Sequence, residues 1–200
     1  MTTINMKLRR VANSFQCSIV VLGLLSSCPS LTMAQDEHTH ATEQSKAALN
    51  QQNALVKIVR DSTERFKDVK VAEAEGYALQ FGCVSGDDFG AMGLHYVNMN
   101  LVGSGVLDAT RPQIVIYEPK PDGTLRLIGA DYLLLVDAWK LNHSAPPELM
   151  GQFFHLFTSP NRFGLPDFYT LHVWAWKENP KGAFVNWHPN VSCASFGPKP

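Results

Sequence analysis

Tyr169-Thr170-Leu171-His172-Val173-Trp174-Ala175-Trp176-Lys177 is rich in β-branched and aromatic residues and reads as a strand. Its two-residue period puts Tyr169, Leu171, Val173 and Ala175 on one face, and Thr170, His172, Trp174 and Trp176 on the other. The first set is the apolar face that a covering layer of helices requires. The second is large, aromatic and carries an imidazole. It is either a second buried face or the lining of a cleft, since small-molecule pockets use aromatic walls with a few polar groups. In a buried face the indole N–H groups and the imidazole would instead find backbone partners.

Three further runs upstream share this composition: Leu94 to Asn98, Gln113 to Glu118 and Leu125 to Val136. Pro121-Asp122-Gly123 lies between two of them and reads as a hairpin turn. Ahead of the strands the period changes. Leu55, Ile58, Val59, Ser62 and Phe66 recur at three- and four-residue steps, and Arg60, Asp61, Glu64, Arg65 and Lys67 take the opposite side of a helix. Asp68 caps a shorter helix through Val71, Ala72 and Ala74, which Gly76 ends. Downstream, Glu148 to Leu156 reads as a short helix or irregular cover. Asn179-Pro180-Lys181-Gly182 is a turn before a last strand around Phe184 to Trp187. Helices first and strands afterwards give an α+β fold, with N-terminal helices packed on a mainly antiparallel sheet. The expected organisation is a signal peptide over 1–34, a disordered polar lead-in over 35–44 and a single domain over 45–200.

The leader reading rests on order. Lys7, Arg9 and Arg10 precede the apolar run Ser18 to Leu25, and Thr32-Met33-Ala34 supplies small residues for cleavage. The run is too short to span a bilayer. A rival processing site exists: Leu25-Ser26-Ser27-Cys28 resembles a lipobox, which would place a lipid anchor on Cys28. Pro29 is an odd neighbour for that processing, and the cut after Ala34 is preferred. Either product is exported, periplasmic or secreted. Removing residues 1–34 takes away three basic residues and no acidic one, leaving 14 Lys+Arg against 18 Asp+Glu. No basic patch appears, so nucleic acid is a poor partner. No later apolar run reaches spanning length, so the mature chain carries no transmembrane segment.

Cys83 and Cys193 remain after the leader. In an oxidising compartment the simplest arrangement is one disulfide, with a free buried thiol or a metal ligand as alternatives.

His172 is joined by His95, in Met92-Gly93-Leu94-His95-Tyr96-Val97-Asn98, where alternation turns His95 away from Leu94 and Tyr96. Glu118 closes the apolar run Ile114 to Tyr117. Convergence of His95, His172 and Glu118 across neighbouring strands would suit a first-row transition metal such as zinc, iron or copper. The expected ligand-binding set is His172, Trp174, Trp176 and Tyr96. His155 and His188, in loop-like stretches, are weaker candidates. HExxH, CxxC, GxxxxGK and GxSxG are all absent.

The runs Met92 to Asn98, Tyr117-Glu118-Pro119, Leu171 to Trp176 and Trp187 to Cys193 together resemble a group of small exported bacterial proteins without an assigned activity. The likeness extends from about Asp61 onward. It implies export and one domain, and transfers no catalytic residues. Three functions follow as expectations. The first is a binding protein whose aromatic, His-bearing sheet face holds a small ligand or metal ion. The second is a metal-dependent enzyme using His95, His172 and Glu118. The third is a structural or partner-binding envelope protein, which an exposed apolar patch without a pocket would favour.

Overall fold

Helix α1 (Asp36–Thr63) opens the part of the chain that the computed structural model describes, residues 36–197, with side chains from residue 43. The expected signal segment and Cys28 lie outside the described residues. The helix runs through much of the stretch read from composition as a disordered lead-in. Ala41, Glu43, Gln44, Lys46, Ala47 and Ala48 are good helix formers, which explains a helical path without any apolar face. Its second half carries the stripe: Leu55 and Val59 are fully buried. A 3₁₀ turn (Glu64–Lys67) buries Phe66 and leads to α2 (Val69–Ala74), where the Asp68 side chain accepts from the Lys70 N–H at 3.0 Å. Gly76, at φ +92°, releases the chain into the sheet.

The sheet has six strands: β1 (Ala78–Gly86), β2 (Gly90–Val97), β3 (Ile114–Pro119), β4 (Leu125–Leu135), β7 (His155–Phe157) and β8 (Phe168–Val173). Their spatial order is β1-β2-β3-β4-β8-β7, and every pairing is antiparallel. Short helices α3 (Met99–Ser104) and α4 (Val136–Lys140) and a small hairpin of β5 (Glu148–Leu149) and β6 (Gln152–Phe153) fill the connections. That hairpin replaces the short helix or irregular cover expected there. The turn at Pro121-Asp122-Gly123 forms as read: Asp122 Oδ1 accepts from the Thr124 N–H and hydroxyl, and Gly123 has φ +87°.

One sheet face packs on the helices. Leu55 and Val59 meet Ala130, Tyr132, Leu134, Tyr169, Leu171 and Val173, and Phe66 and Ala72 meet Leu94, Tyr96, Val115 and Tyr117. Tyr117 Oη donates to the Phe66 carbonyl at 2.7 Å, a buried tie between layers. The opposite face, with Val97, Ile114, Ile116, Ile128, Leu133 and Trp174, is closed by the segment carrying Val191 and by Phe163 and Leu165.

Two strand boundaries differ from expectation. β8 stops at Val173, four residues early, because the Ala175 N–H turns back to the Val173 carbonyl at 2.9 Å. The Trp176 and Lys177 N–H groups then both reach the Ile128 carbonyl at 3.1 Å. No strand forms over 184–187; the chain there meets β2 through an Ala91–His188 bridge. The Trp174 N–H is taken by the Ala183 carbonyl.

Cys83 and Cys193 form a disulfide, with Cα atoms 5.7 Å apart and 110 residues between them in sequence. It joins β1 to the C-terminal segment.

Candidate functional site

His95 lies on β2 and His172 on β8, with β3 and β4 between them. Three inter-strand spacings in a flat sheet would separate them by about 14 Å. Their ring centroids are 5.7 Å apart. The sheet therefore curls, with this face on the inside. Irregularities in β1 and in the β3–β4 register accompany the curl, as bulges do in strongly bent sheets. The edge strands β1 and β7 both bring a phenylalanine, Phe81 and Phe157, to the pocket that results.

A carboxylate joins the two imidazoles, and it is Asp131. It pairs directly with His172 across β4 and β8. One nitrogen each of His95 and His172 and one oxygen of Asp131 lie within 4.8 Å of one another. All three residues are buried, at 4%, 3% and 3% exposure. His172 Nδ1 and Asp131 Oδ2 are 3.6 Å apart. Asp131 Oδ1 is fully engaged, accepting from Thr170 Oγ1 at 2.6 Å and the Leu171 N–H at 3.1 Å. That arrangement leaves Oδ2 turned toward the imidazoles.

The protonation state follows from the surroundings. Burial pushes the His95 pKa down to about 4, helped by the neighbouring His172 and opposed by Asp131 and the Gly93 carbonyl. Burial takes His172 down to about 3, with His155 adding to the shift and Asn186 opposing it. Both rings are thus neutral at pH 7. His95 Nδ1 lies 3.2 Å from the Gly93 carbonyl, which can only accept, so Nδ1 carries the proton and Nε2 keeps its lone pair. Neither nitrogen of His172 has a partner in full hydrogen-bond geometry, although the ring is buried; Asn186, whose Oδ1 is buried and likewise unpaired, is the polar side chain that bears on it. Burial raises the Asp131 pKa to about 6 against the Thr170 hydroxyl and the Leu171 N–H. At neutral pH the group is one carboxylate and two neutral imidazoles, and among the described residues no Lys or Arg lines the pocket to balance it.

Gly93 holds this geometry in place. Its φ is +94°, and a Cβ there would sit 2.6 Å from the Tyr117 carbonyl oxygen. The left-handed residue also interrupts strict alternation, so Met92 and His95, three apart, both line the pocket. Gly93→Ala is expected to cost about 1–3 kcal/mol for conformation alone, with the backbone clash in addition. An unchanged urea midpoint for that variant would contradict this account.

Above the three polar side chains the walls are apolar: Ile114, Leu133, Phe157, Phe163, Leu165 and Phe168 among them, with the Thr170 hydroxyl beside Asp131. The pocket interior is small, about 20 Å³. One water needs roughly 10–15 Å³ on that scale.

The other expected site residues fall elsewhere. Glu118 is not in the group: its Oε1 accepts from Lys177 Nζ at 2.8 Å, and Lys177 also bonds the Asn190 carbonyl. Tyr96 faces the helices, edge-on to Tyr117 at 5.0 Å. Trp176 leaves the His172 face because β8 ends first; its indole N–H donates to Thr63 Oγ1 at 3.0 Å on the helix side. Trp174 stays beside His172, with ring centroids 6.0 Å apart, but it is buried and its indole N–H is satisfied by the Val185 carbonyl. His188 has both nitrogens occupied, by the Glu178 carbonyl and the Asn190 N–H. His155 is exposed on β7, opposite Thr170. Asp131 carried a signal that sequence reasoning passed over. It is the one charged residue in Leu127 to Leu135, and a lone carboxylate inside an apolar strand needs a partner.

Comparison with known proteins finds no matching family model, no matching characterised protein and no matching solved structure. The site is therefore read on its own chemistry.

Proposed function

We propose that this chain is an exported protein that binds a first-row divalent metal ion through His95, Asp131 and His172 at the floor of an apolar pocket. The observation that carries the reading is the convergence of three buried donor groups, His95, Asp131 and His172, with no basic side chain among the described lining residues to balance the carboxylate. A buried negative charge of this kind is normally paired with a cation, and among the described residues no Lys or Arg lines the pocket to supply one. Bonds of about 2.0–2.1 Å in a tetrahedral shell set ligand atoms about 3.3 Å apart. The His172–Asp131 separation of 3.6 Å is close to that. The ligand atom of His95 lies within 4.8 Å of the other two. The Gly93 carbonyl and the Thr170 hydroxyl are the outer partners that orient metal ligands elsewhere in proteins. Export is supported by the leader composition and by the disulfide, which belongs to an oxidising compartment. Among the described residues no helix is long and apolar enough to cross a membrane.

A second reading, a metal-dependent enzyme, is favoured by one feature. Two imidazoles and one carboxylate leave coordination positions open, and here they open into a pocket rather than into packed core. Both readings share a first test. Metal-free protein titrated with zinc, cobalt or ferrous ion should take up one equivalent. His95→Ala and His172→Ala should weaken uptake by more than about 100-fold, beyond the effect of losing an outer partner. Circular dichroism should show the fold retained. Equal metal content in wild type and both variants would overturn the proposal.

A further inference from the structure

Resting on that metal reading, we propose that the open position on an ion held by His95, Asp131 and His172 takes a small monoanion, and that Phe81 sets the size admitted. The first half is a matter of charge. A divalent ion with one carboxylate and two neutral imidazoles retains a single positive charge. That charge would lie in a pocket whose remaining lining is apolar apart from Thr170, where an unbalanced charge is poorly solvated. Asp131 is the one acid among the lining residues, and Glu118 is held by Lys177. A fourth ligand bearing one negative charge makes the centre neutral; a neutral molecule of the same size does not. Exposed His155, opposite Thr170 across β7 and β8, adds no negative charge at that side.

The second half comes from the backbone of β1. Its register with β2 jumps from Gln80–His95 to Cys83–Leu94, so Phe81 and Gly82 form a two-residue bulge beside His95. Both have φ +65°. Glycine takes that conformation freely, whereas phenylalanine is strained in it. Such strain persists where the surroundings over-determine it, often at functional sites. Here the disulfide at Cys83 fixes the chain just beyond the bulge, and the Phe81 ring lines the pocket edge-on to Phe163 at 5.4 Å. An alternating strand would have sent this side chain elsewhere. With Phe81 in place the interior admits one or two water-sized groups. A linear anion such as azide or cyanate can place one end in that room and extend toward the pocket mouth, whereas the wide ring of benzoate cannot enter.

The test uses cobalt-loaded mature protein, whose visible spectrum reports both metal uptake and changes in the fourth ligand. Azide and cyanate should shift the wild-type spectrum, at concentrations at least tenfold below any effect of neutral acetonitrile. Benzoate should leave wild type unchanged and bind Phe81→Gly, a variant in which the left-handed position is relieved rather than strained. Phe81→Leu, which keeps an apolar side chain, should admit benzoate more weakly than Phe81→Gly. Absence of cobalt uptake would overturn the metal reading and this inference with it. Cobalt uptake with a spectrum indifferent to azide and cyanate would overturn this inference alone. Equal response to acetonitrile and azide would overturn the charge argument, and benzoate binding to wild type would overturn the role of Phe81.

Discussion

Opening the Cys83–Cys193 disulfide is expected to lower stability by about 4–5 kcal/mol, the chain-entropy value for a closed loop on the order of 100 residues. Domains of this size are stable by about 5–15 kcal/mol in total, so the loss is a large fraction of the whole. The bond spans 110 residues, and with them most of the sheet, so its removal enlarges the unfolded ensemble considerably. It also frees the C-terminal segment, whose Val191 helps to close the site face, from β1. Loss should therefore appear first as faster amide exchange in β1 and around Val191. The measurement is urea unfolding of Cys83→Ser/Cys193→Ser beside wild type, with thiol labelling of the unreduced, denatured mature protein as control. Two titratable thiols in that control, or coincident urea midpoints, would reject the account.

The parts of the fold legible in the sequence were those set by local pattern. α1 shows its apolar stripe because Leu55, Val59 and the 3₁₀ residue Phe66 recur on one side, and Asp68 caps where a side-chain acceptor is needed. β4 was read almost to the residue, since Leu125 to Leu135 is an apolar run bounded by a turn that only certain residues make. β1 was not resolved as a strand. It carries Gly82, Ser85 and Gly86, all poor strand formers, and its bulge breaks the two-residue period on which strand recognition rests. The aromatic face failed at its far end for a related reason. Alternation predicts a side only while the strand lasts, and β8 lasts to Val173.

The site divides in the same way. His95 and His172 were visible as imidazoles within strands, and register alone could not say whether two intervening strands would keep them apart. Curl decides that, and curl is a property of the assembled sheet and of bulges at Phe81 and near Ile128 rather than of any one run. Glu118 closes the apolar run of β3, one residue before the strand ends, and draws the eye, whereas Asp131 lies in the middle of β4. Position in the middle is what makes Asp131 the more telling residue: a charge there has no route to water.

Replacing that carboxylate should reverse the usual sign of a core mutation. Asp131→Asn keeps an oxygen to accept from Thr170 Oγ1 and the Leu171 N–H, and removes the charge. Burial raises the Asp131 pKa from 3.8 to about 6, so the folded protein binds this proton more tightly than the unfolded chain does. Its contribution to stability is fully present below pH 4 and is lost as pH rises through 6. The asparagine variant carries no such loss. Metal-free Asp131→Asn should therefore be more stable than metal-free wild type by about 1–3 kcal/mol above pH 6, the difference fading toward pH 4. His95 and His172 run the other way. Their folded pKa values lie below the unfolded 6.5, so their contribution is present at neutral pH and is lost on acidification from about 6.5. At pH 7 and above both rings are neutral in both proteins and cancel in the comparison; on acidification His95 does not cancel, because Asp131 opposes its shift in wild type alone. Metal then inverts the order. An ion at 1,000 times its dissociation constant stabilises the form that binds it by about 4.1 kcal/mol, more than the deficit of metal-free wild type. Wild type should gain this and Asp131→Asn should not, so the two melting curves cross between metal-free and metal-loaded samples at pH 7.5. A variant less stable than wild type without metal, and equally stabilised by it, would show Asp131 to be an ordinary structural carboxylate.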